Sequence, residues 1–314
     1  MFGDECCRIT KGKKMAPQIN LFGETQDDVV RDILRHKYVE PPFSILNTQQ
    51  GTWQERKRAW KALGIQSEVG RDATTFNMKD WADKARNDGN LSGNVFPSDT
   101  SIFDPALCEV LYHWFVPEGG CILDPFAGGS VRGIVAAFMG YQYVGIDIRP
   151  EQIESNQEQA RKILTNCDVM PAWLVGDSDK VLDTLTEPMY DFVFSCPPYG
   201  DLEVYSDLPG DISNMQYNDF LTSYRSIIKK SCDLLKPGAL ACFVVGEFRD
   251  KKGNYRGFVP DTIRAFMDAG MSYYNEAILV NSLASAAIRA DGNMKNKKLV
   301  KTHQNILVFK KNVL

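Results

Sequence analysis

The stretch CILDPFAGGSVRGIVAAFMGYQYVGIDI, residues 121–148, decides the fold. CILD is a short apolar run ending in an acid, and the Gly128-Gly129 pair lets the chain turn sharply. SVRGIVAAFMG then carries apolar residues at helical spacing and stops on Gly140, a helix C-cap. YQYVGIDI supplies a second apolar strand, so the segment predicts a βαβ unit.

The alternation continues downstream. PEQIESNQEQARKIL (150–164) predicts a helix with proline at its start, AWLVGD (172–177) a third strand and YDFVFS (190–195) a fourth. A helix from Tyr217 to Leu235, stopped by Lys236-Pro237-Gly238, leads to a fifth strand, ALACFVVGEF (239–248), and a helix, VPDTIRAFMDAG (259–270). YYNEAILV (273–280) and NILVFKK (305–311), joined by a loop, predict an antiparallel closing pair. The expected fold is therefore α/β: a mostly parallel sheet with helices on both faces and an antiparallel edge. Residues 1–100 differ, being rich in Gln, Asn, Asp, Arg and Trp with few strand signals. The expected organisation is a disordered segment 1–14, an accessory region 15–95, and an α/β domain 96–314.

With 314 residues, 44% of them hydrophobic and 24% charged, the chain can bury a full core. Its eight cysteines are scattered, without CxxC pairs or Cys/His clusters at zinc spacing, so they read as reduced thiols of a cytoplasmic protein that needs no metal. No apolar run approaches ~18 residues and no signal-peptide core begins the chain, so no membrane association is expected. The net charge of −4 does not advertise a polyanion, yet 35–37, 55–61 and 289–311 are locally basic while 201–211 is acidic.

In an open α/β sheet, ligands bind beyond the carboxyl ends of the strands. Asp124, Asp147 and Asp177 end the first three strands here, and Gly128 and Gly129 allow close approach of the backbone. The turn matches neither GxGxxG nor a Walker loop. Three acids at neighbouring tips suit a ligand with hydroxyls, amino donors and positive charge. Asp177-Ser178 has a second reading as a helix N-cap or turn former. The fourth strand runs into SCPPYG (195–200), where two prolines forbid both ladder pairing and helix and force an elbow.

DPFAGGS (124–130), GID (145–147), VGDS (175–178) and SCPPY (195–199) together resemble the S-adenosylmethionine-dependent DNA amino-methyltransferases, which modify the exocyclic amino group of adenine or cytosine. The resemblance spans about residues 100–312 and implies the Rossmann-like class I methyltransferase fold with seven strands, plus a smaller N-terminal region. It places the cofactor on Asp124, Pro125, Phe126, Ala127, Gly128, Gly129 and Ser130, with Asp147 and Ile148 at the ribose and Asp177 and Ser178 at the adenine. Phe103, in SIFDPALCEVLYHWF (101–115), belongs to the helix implied to close the methionine end.

The same resemblance makes Ser195, Cys196, Pro197, Pro198 and Tyr199 the catalytic elbow, with Tyr199 stacking on a flipped base. The family carries Asp, Asn or Ser where this chain has Cys196. Either Ser195 substitutes, or the Pro197 carbonyl carries the acceptor role; a nucleophilic Cys196 is the sharper alternative. Lys301, His303 and Arg289 are candidate substrate contacts. Only about 70 residues separate the two main motifs, too few for a recognition domain. Recognition is therefore expected from the first 95 residues, from 200–216, or from the basic, glycine-containing loop 281–304. Trp53 and Trp60 read either as base contacts or as helix packing. The implied setting is restriction-modification in a bacterial or phage-type cytoplasm, with DNA as partner and a monomer or homodimer as the assembly.

Overall fold

The computed structural model describes residues 26–65, 102–185, 189–200, 206–208, 210–281 and 284–313. The chain forms two compact units, residues 1–42 and 43–314. The described part of the first is helix α1 (Gln26–Tyr38) with its tail, where Arg35 bridges Asp32 at 2.9 Å and Glu40 at 3.5 Å.

The second unit runs β1 (Ile45–Asn47), α2 (Gly51–Ala62), α3 (Pro105–Phe115), β2 (Cys121–Asp124), α4 (Val131–Phe138), β3 (Gln142–Asp147), α5 (Pro150–Ile163) and β4 (Ala172–Val175). It continues with α6 (Ser178–Val181), β5 (Tyr190–Ser195), α7 (Tyr217–Asp233), β6 (Leu235–Val245), α8 (Phe258–Asp268), β7 (Met271–Val280), α9 (Ala284–Lys295) and β8 (His303–Lys311). One sheet holds all the strands in the order β1-β7-β8-β6-β5-β2-β3-β4. From β4 to β6 every pairing is parallel, while β8 runs antiparallel to both β6 and β7. From β4 to β7 this is the expected α/β sheet, parallel strands closed by an antiparallel edge.

The central strands read as continuous apolar runs because helices cover both faces. Phe192, Val193 and Phe194 are wholly buried. On one face Phe220, Tyr224, Phe243 and Phe258 form an aromatic cluster, and Phe266 stacks on Phe309 with ring centres 4.0 Å apart. Among the described residues eleven glycines take positive φ; Gly140, for example, closes α4 at φ +83°.

Three features depart from expectation. The sheet has eight strands rather than seven, because Ile45–Asn47 pairs in parallel with Ile278–Val280 and extends the antiparallel edge. Lys236-Pro237-Gly238 does not precede β6 but lies inside it; the partner of β5 jumps from Tyr190↔Leu235 to Phe192↔Leu240, and this irregularity takes up the proline, which has no donor to give a ladder. The segment expected as a basic loop holds α9, whose alanine-rich start outweighs Gly292. The boundary expected near residue 95 and the disordered 1–14 lie outside the described residues.

Trp53 and Trp60 resolve toward packing. Both are buried, and their indole N–H groups donate to Asp104 Oδ2 at 3.1 Å and Glu109 Oε2 at 2.9 Å on α3. Arg56 and Lys57 add ion pairs to Glu109 and Asp104 at 2.7 and 3.1 Å. Helix α2 is thereby clamped on α3 by paired indole and cation contacts.

Gly145 on β3 marks the tightest approach of strand to turn: a Cβ there would lie 2.8 Å from Ala127 Cβ and 2.9 Å from Trp173 Cδ1. Gly145→Ala is expected to destabilise the protein by about 1–3 kcal/mol through overpacking. A lower midpoint with unchanged slope in urea unfolding is the result that checks it.

Candidate active site

Each strand of the sheet delivers residues to one cavity of about 880 Å³. Pro125, Phe126 and Gly128 follow β2, Ile146 to Arg149 end β3, and Gly176 to Ser178 follow β4. Cys196 to Tyr199 follow β5, and Gly246 to Phe248 follow β6. Leu279 and Asn281 end β7, while His303 and Gln304 begin β8, which runs the other way and so arrives at the same sheet edge. Thr48, Gln54 and Lys57 close a further wall from the β1–α2 segment.

The floor is built by polar groups that face inward. Asp124 is fully buried, and its carboxylate accepts four hydrogen bonds: Arg132 Nε at 2.5 Å, Tyr143 Oη at 2.7 Å, Ser195 Oγ at 2.5 Å and the Phe126 amide at 3.2 Å. Arg132 completes the knot by donating to the Phe126 and Ala127 carbonyls at 2.6 and 2.8 Å, with its guanidinium 4.7 Å from the centre of the Phe103 ring. Burial by itself would depress the Arg132 pKa; the Asp124 carboxylate more than offsets it and raises it well above the usual arginine range. Burial, reinforced by the same carboxylate, pushes the Tyr143 phenol well up.

A second set of contacts sets the glycine turn. Gly128, at φ +51°, donates its amide to Asp147 Oδ2 at 3.0 Å, and its carbonyl accepts from Asn156 Nδ2 at 2.7 Å. Asp147 Oδ1 accepts the Arg149 amide at 2.9 Å, and the Arg149–Gln152–Asn156 chain of hydrogen bonds runs along the buried face of α5. The Arg149 guanidinium also pairs with Asp147, its Nε 3.6 Å from Oδ1, and both residues line the cavity.

Asp177 does two things at once. It caps α6 by accepting the Asp179 amide at 3.0 Å, and it lines the cavity. The left-handed Gly210 packs against it so closely that a Cβ would fall 2.9 Å from Asp177 Oδ2. Ser178 Oγ donates to the Pro125 carbonyl at 2.5 Å, tying the third strand tip to the first.

Cys196, Pro197, Pro198 and Tyr199 all line the cavity. Tyr199 is half-buried: its ring packs edge-on against Phe258 at 5.6 Å, and its hydroxyl accepts from Gln304 Nε2 at 2.9 Å. Phe103, Ile148, Arg289, Lys301 and His303 face the same space.

Five expected site residues do not line the cavity: Asp124, Ala127, Gly129, Ser130 and Ser195. Asp124, placed in the crevice from its position at a strand tip, turns into the core because Arg132 and Tyr143 meet it there. Ser195 follows it inward through their shared hydrogen bond, so Ser195 does not substitute for Cys196 in the cavity wall. Ala127 is buried under β3, and Ser130 Oγ is spent on Gln159 at 3.1 Å. Sequence reasoning placed Gln304 beside Lys301 and His303 near this end of the sheet, and missed Asn156, Lys57 and Asp211. The amides 152, 156 and 159 recur at helical spacing, and that polar stripe was the available signal for Asn156.

Among the described residues, no group of His, Cys, Asp and Glu has the arrangement of a metal site, and no helix is long and apolar enough to cross a membrane.

Lys301 and His303, side by side in the wall, both have lowered pKa values. Burial lowers the Lys301 pKa against the opposing pull of Glu247, and burial together with the Lys301 charge lowers that of His303. The His303 imidazole is therefore neutral at pH 7. Lys301→Met is expected to raise the His303 pKa toward its ordinary value near ~6.5, because one of its two depressing influences is gone. Proton NMR titration of the imidazole resonances checks this, and an unmoved His303 curve refutes it.

Solved structures similar to the chain include TrmN from Thermus thermophilus, at 14% identity and TM-score 0.45, covering 68% of this chain and 51% of that one. The chain thus spans about half the length of TrmN. A SAM-dependent methyltransferase from Methanosarcina mazei aligns at 16% identity and TM-score 0.45, over 65% of this chain and 98% of that one. Magnesium protoporphyrin IX methyltransferase from Synechocystis PCC 6803 with bound SAM aligns at 14% identity and TM-score 0.45, over 76% and 93%. No curated protein matches the chain in sequence. The family match stops short of the Pro-Pro-Tyr elbow but takes in the glycine turn and the Asp147 tip: residues 10–158 of this chain match the DNA methylase family.

Proposed function

We propose that the chain is a DNA methyltransferase that transfers a methyl group from S-adenosylmethionine to the exocyclic amino nitrogen of an adenine or cytosine swung out of the duplex. One observation carries this: Gly128, Asp147 and Asp177 open onto the same cavity as the Cys196–Tyr199 elbow. A volume of about 880 Å³ lies toward the upper end of small-molecule sites, roughly 300–1,000 Å³.

The residues present fit that cofactor. Asp147 offers acceptors for vicinal hydroxyls and Asp177 an acceptor for an amino group, while Phe126 and Phe103 provide apolar wall. The left-handed Gly128 lets the backbone come close. Five carboxylates and five Lys or Arg side chains line the cavity, with Asp147 and Asp177 the acids that follow the strand tips beside the glycine turn. When bound, the cofactor supplies an electrophilic methyl on a sulfonium, so that a nitrogen–carbon bond forms, the carbon–sulfur bond breaks to a thioether, and one amino proton is released to water.

The chain's own task is positioning. A nucleobase amino group is a poor nucleophile because its lone pair is delocalised, and acceptors at its hydrogens localise that pair. The Pro197 carbonyl serves as the stronger acceptor and the Cys196 thiol as the weaker. Pro198 holds the turn, and Tyr199, fixed by Gln304, presents a ring face for stacking worth about 1–3 kcal/mol.

Incubation with tritiated-methyl cofactor and unmodified duplex DNA, RNA or bacterial protein, followed by mass spectrometry of the digests, tests the assignment. Methylated adenine or cytosine is expected; label confined to RNA or to protein glutamine overturns it. Cys196→Ala is expected to lower the rate by no more than about tenfold, the worth of one neutral hydrogen bond. Complete loss would instead assign Cys196 as a covalent nucleophile.

A further inference from the structure

Two separate segments bring an excess of positive charge to one side of the cavity mouth. The first, residues 247–256, follows β6; the second, residues 284–303, comprises α9 and its connection to β8. Together they hold nine Lys and Arg against three carboxylates, in a chain whose net charge is −4. Both reach the cavity wall, the first through Glu247 and Phe248 and the second through Arg289, Lys301 and His303. They also touch each other: the Lys298 side chain lies against Gly253, where a Cβ would collide with its ammonium group.

The geometry points to this rim as the surface that receives the phosphate backbone of duplex DNA while a base enters the cavity, a proposal that rests on the function proposed above. Three observations favour a polyanion over a merely solvated face. The charges gather at one spot, although the chain as a whole is acidic and pays an electrostatic cost for clustering them. Lys251, Lys252 and Lys297 are exposed and directed by turns rather than by a helix face, Lys297 in a left-handed conformation at φ +54°. Arg249 is held at 4.0 Å over the exposed Tyr255 ring and donates to the Gly253 carbonyl at 2.9 Å, which orders the loop that carries Lys251 and Lys252. Phosphate contacts of this kind fix register and orientation without reading sequence.

The exposed lysines of the two segments would hold the phosphates outside the cavity while a base enters toward Tyr199.

The test is the salt dependence of DNA binding, measured by fluorescence anisotropy with a labelled duplex and a matched RNA. The wild type is compared with the triple variant Lys251→Gln, Lys252→Gln, Lys297→Asn, asparagine being chosen because it tolerates the left-handed backbone. A control variant, Lys162→Gln, Lys229→Gln, Lys236→Gln, neutralises lysines at the C-terminal ends of α5 and α7 and the start of β6, the opposite edge of the sheet. The plot of log affinity against log salt is expected to be shallower by about 1 for each rim lysine removed, and unchanged in the control. Calorimetric binding of S-adenosylhomocysteine and the melting temperature are expected to match wild type in both.

A rim variant with the wild-type slope overturns the proposal, as does a wild type that binds no DNA or prefers RNA. A wild type that methylates DNA while the rim slope is unchanged refutes this surface alone. Rim-dependent DNA binding without methyl transfer supports the surface and refutes the enzymatic assignment.

Discussion

The buried ion pair between Asp124 and Arg132 is the constraint on which the site depends. Taking both charges out of water costs several kcal/mol per ion, and such a pair is tolerable only when its remaining donors and acceptors are satisfied. Here the satisfaction is what builds the site. The carboxylate collects the hydroxyl at the tip of β5 and the phenol of β3, while the guanidinium collects two carbonyls of the glycine turn. The tips of β2 and β5, the start of β3 and the glycine turn are thus fastened to one another through a single pair of side chains. The glycine turn and the Pro-Pro-Tyr elbow, which both line the cavity, inherit their spacing from it.

A second, independent tie sets the depth of the same turn. Gly128 is held by its amide from Asp147 and by its carbonyl from Asn156, so both hydrogen-bonding groups of the turn's left-handed residue are engaged before any ligand arrives. Preorganisation of this kind removes reorganisation from the binding step. It also explains why α5 buries amides, Gln152, Asn156 and Gln159, where an apolar stripe would otherwise pack: the helix fastens the cavity floor as well as covering the sheet.

The parallel core was legible because β2, β3 and β5 are apolar runs punctuated by glycine, proline and acids. The YDFVFS strand spans the residues read for it, 190–195. Local pattern failed where long-range contacts decide. Ile45–Asn47 is too short to signal a strand and becomes one only against β7. Pro237 looked like a stop because nothing local shows that β5 changes register beside it. Asp147, at the end of β3, lines the cavity, whereas Asp124, at the end of β2, does not. The direction of a side chain at a tip depends on what waits in the core, here Arg132, eight residues on and the second residue of the next helix. The clustering of Lys251 and Lys252 with Lys297 and Lys298 was invisible for the same reason.

The distribution of charge follows from these placements. Strand-tip acids are useful to a cationic ligand but hostile to phosphate, so a chain that takes both must keep them apart. The sheet does this by direction. Acids end the parallel strands β3 and β4, while the basic connections leave β6 and enter β8 on the antiparallel side. The elbow after β5 lies between the two groups in strand order, with Tyr199 tied to Gln304 on the basic side and Cys196 at the end of a strand that borders the acidic side. The tie between the elbow and Gln304 requires the mixed sheet: an all-parallel continuation would bring no β8 start to this edge.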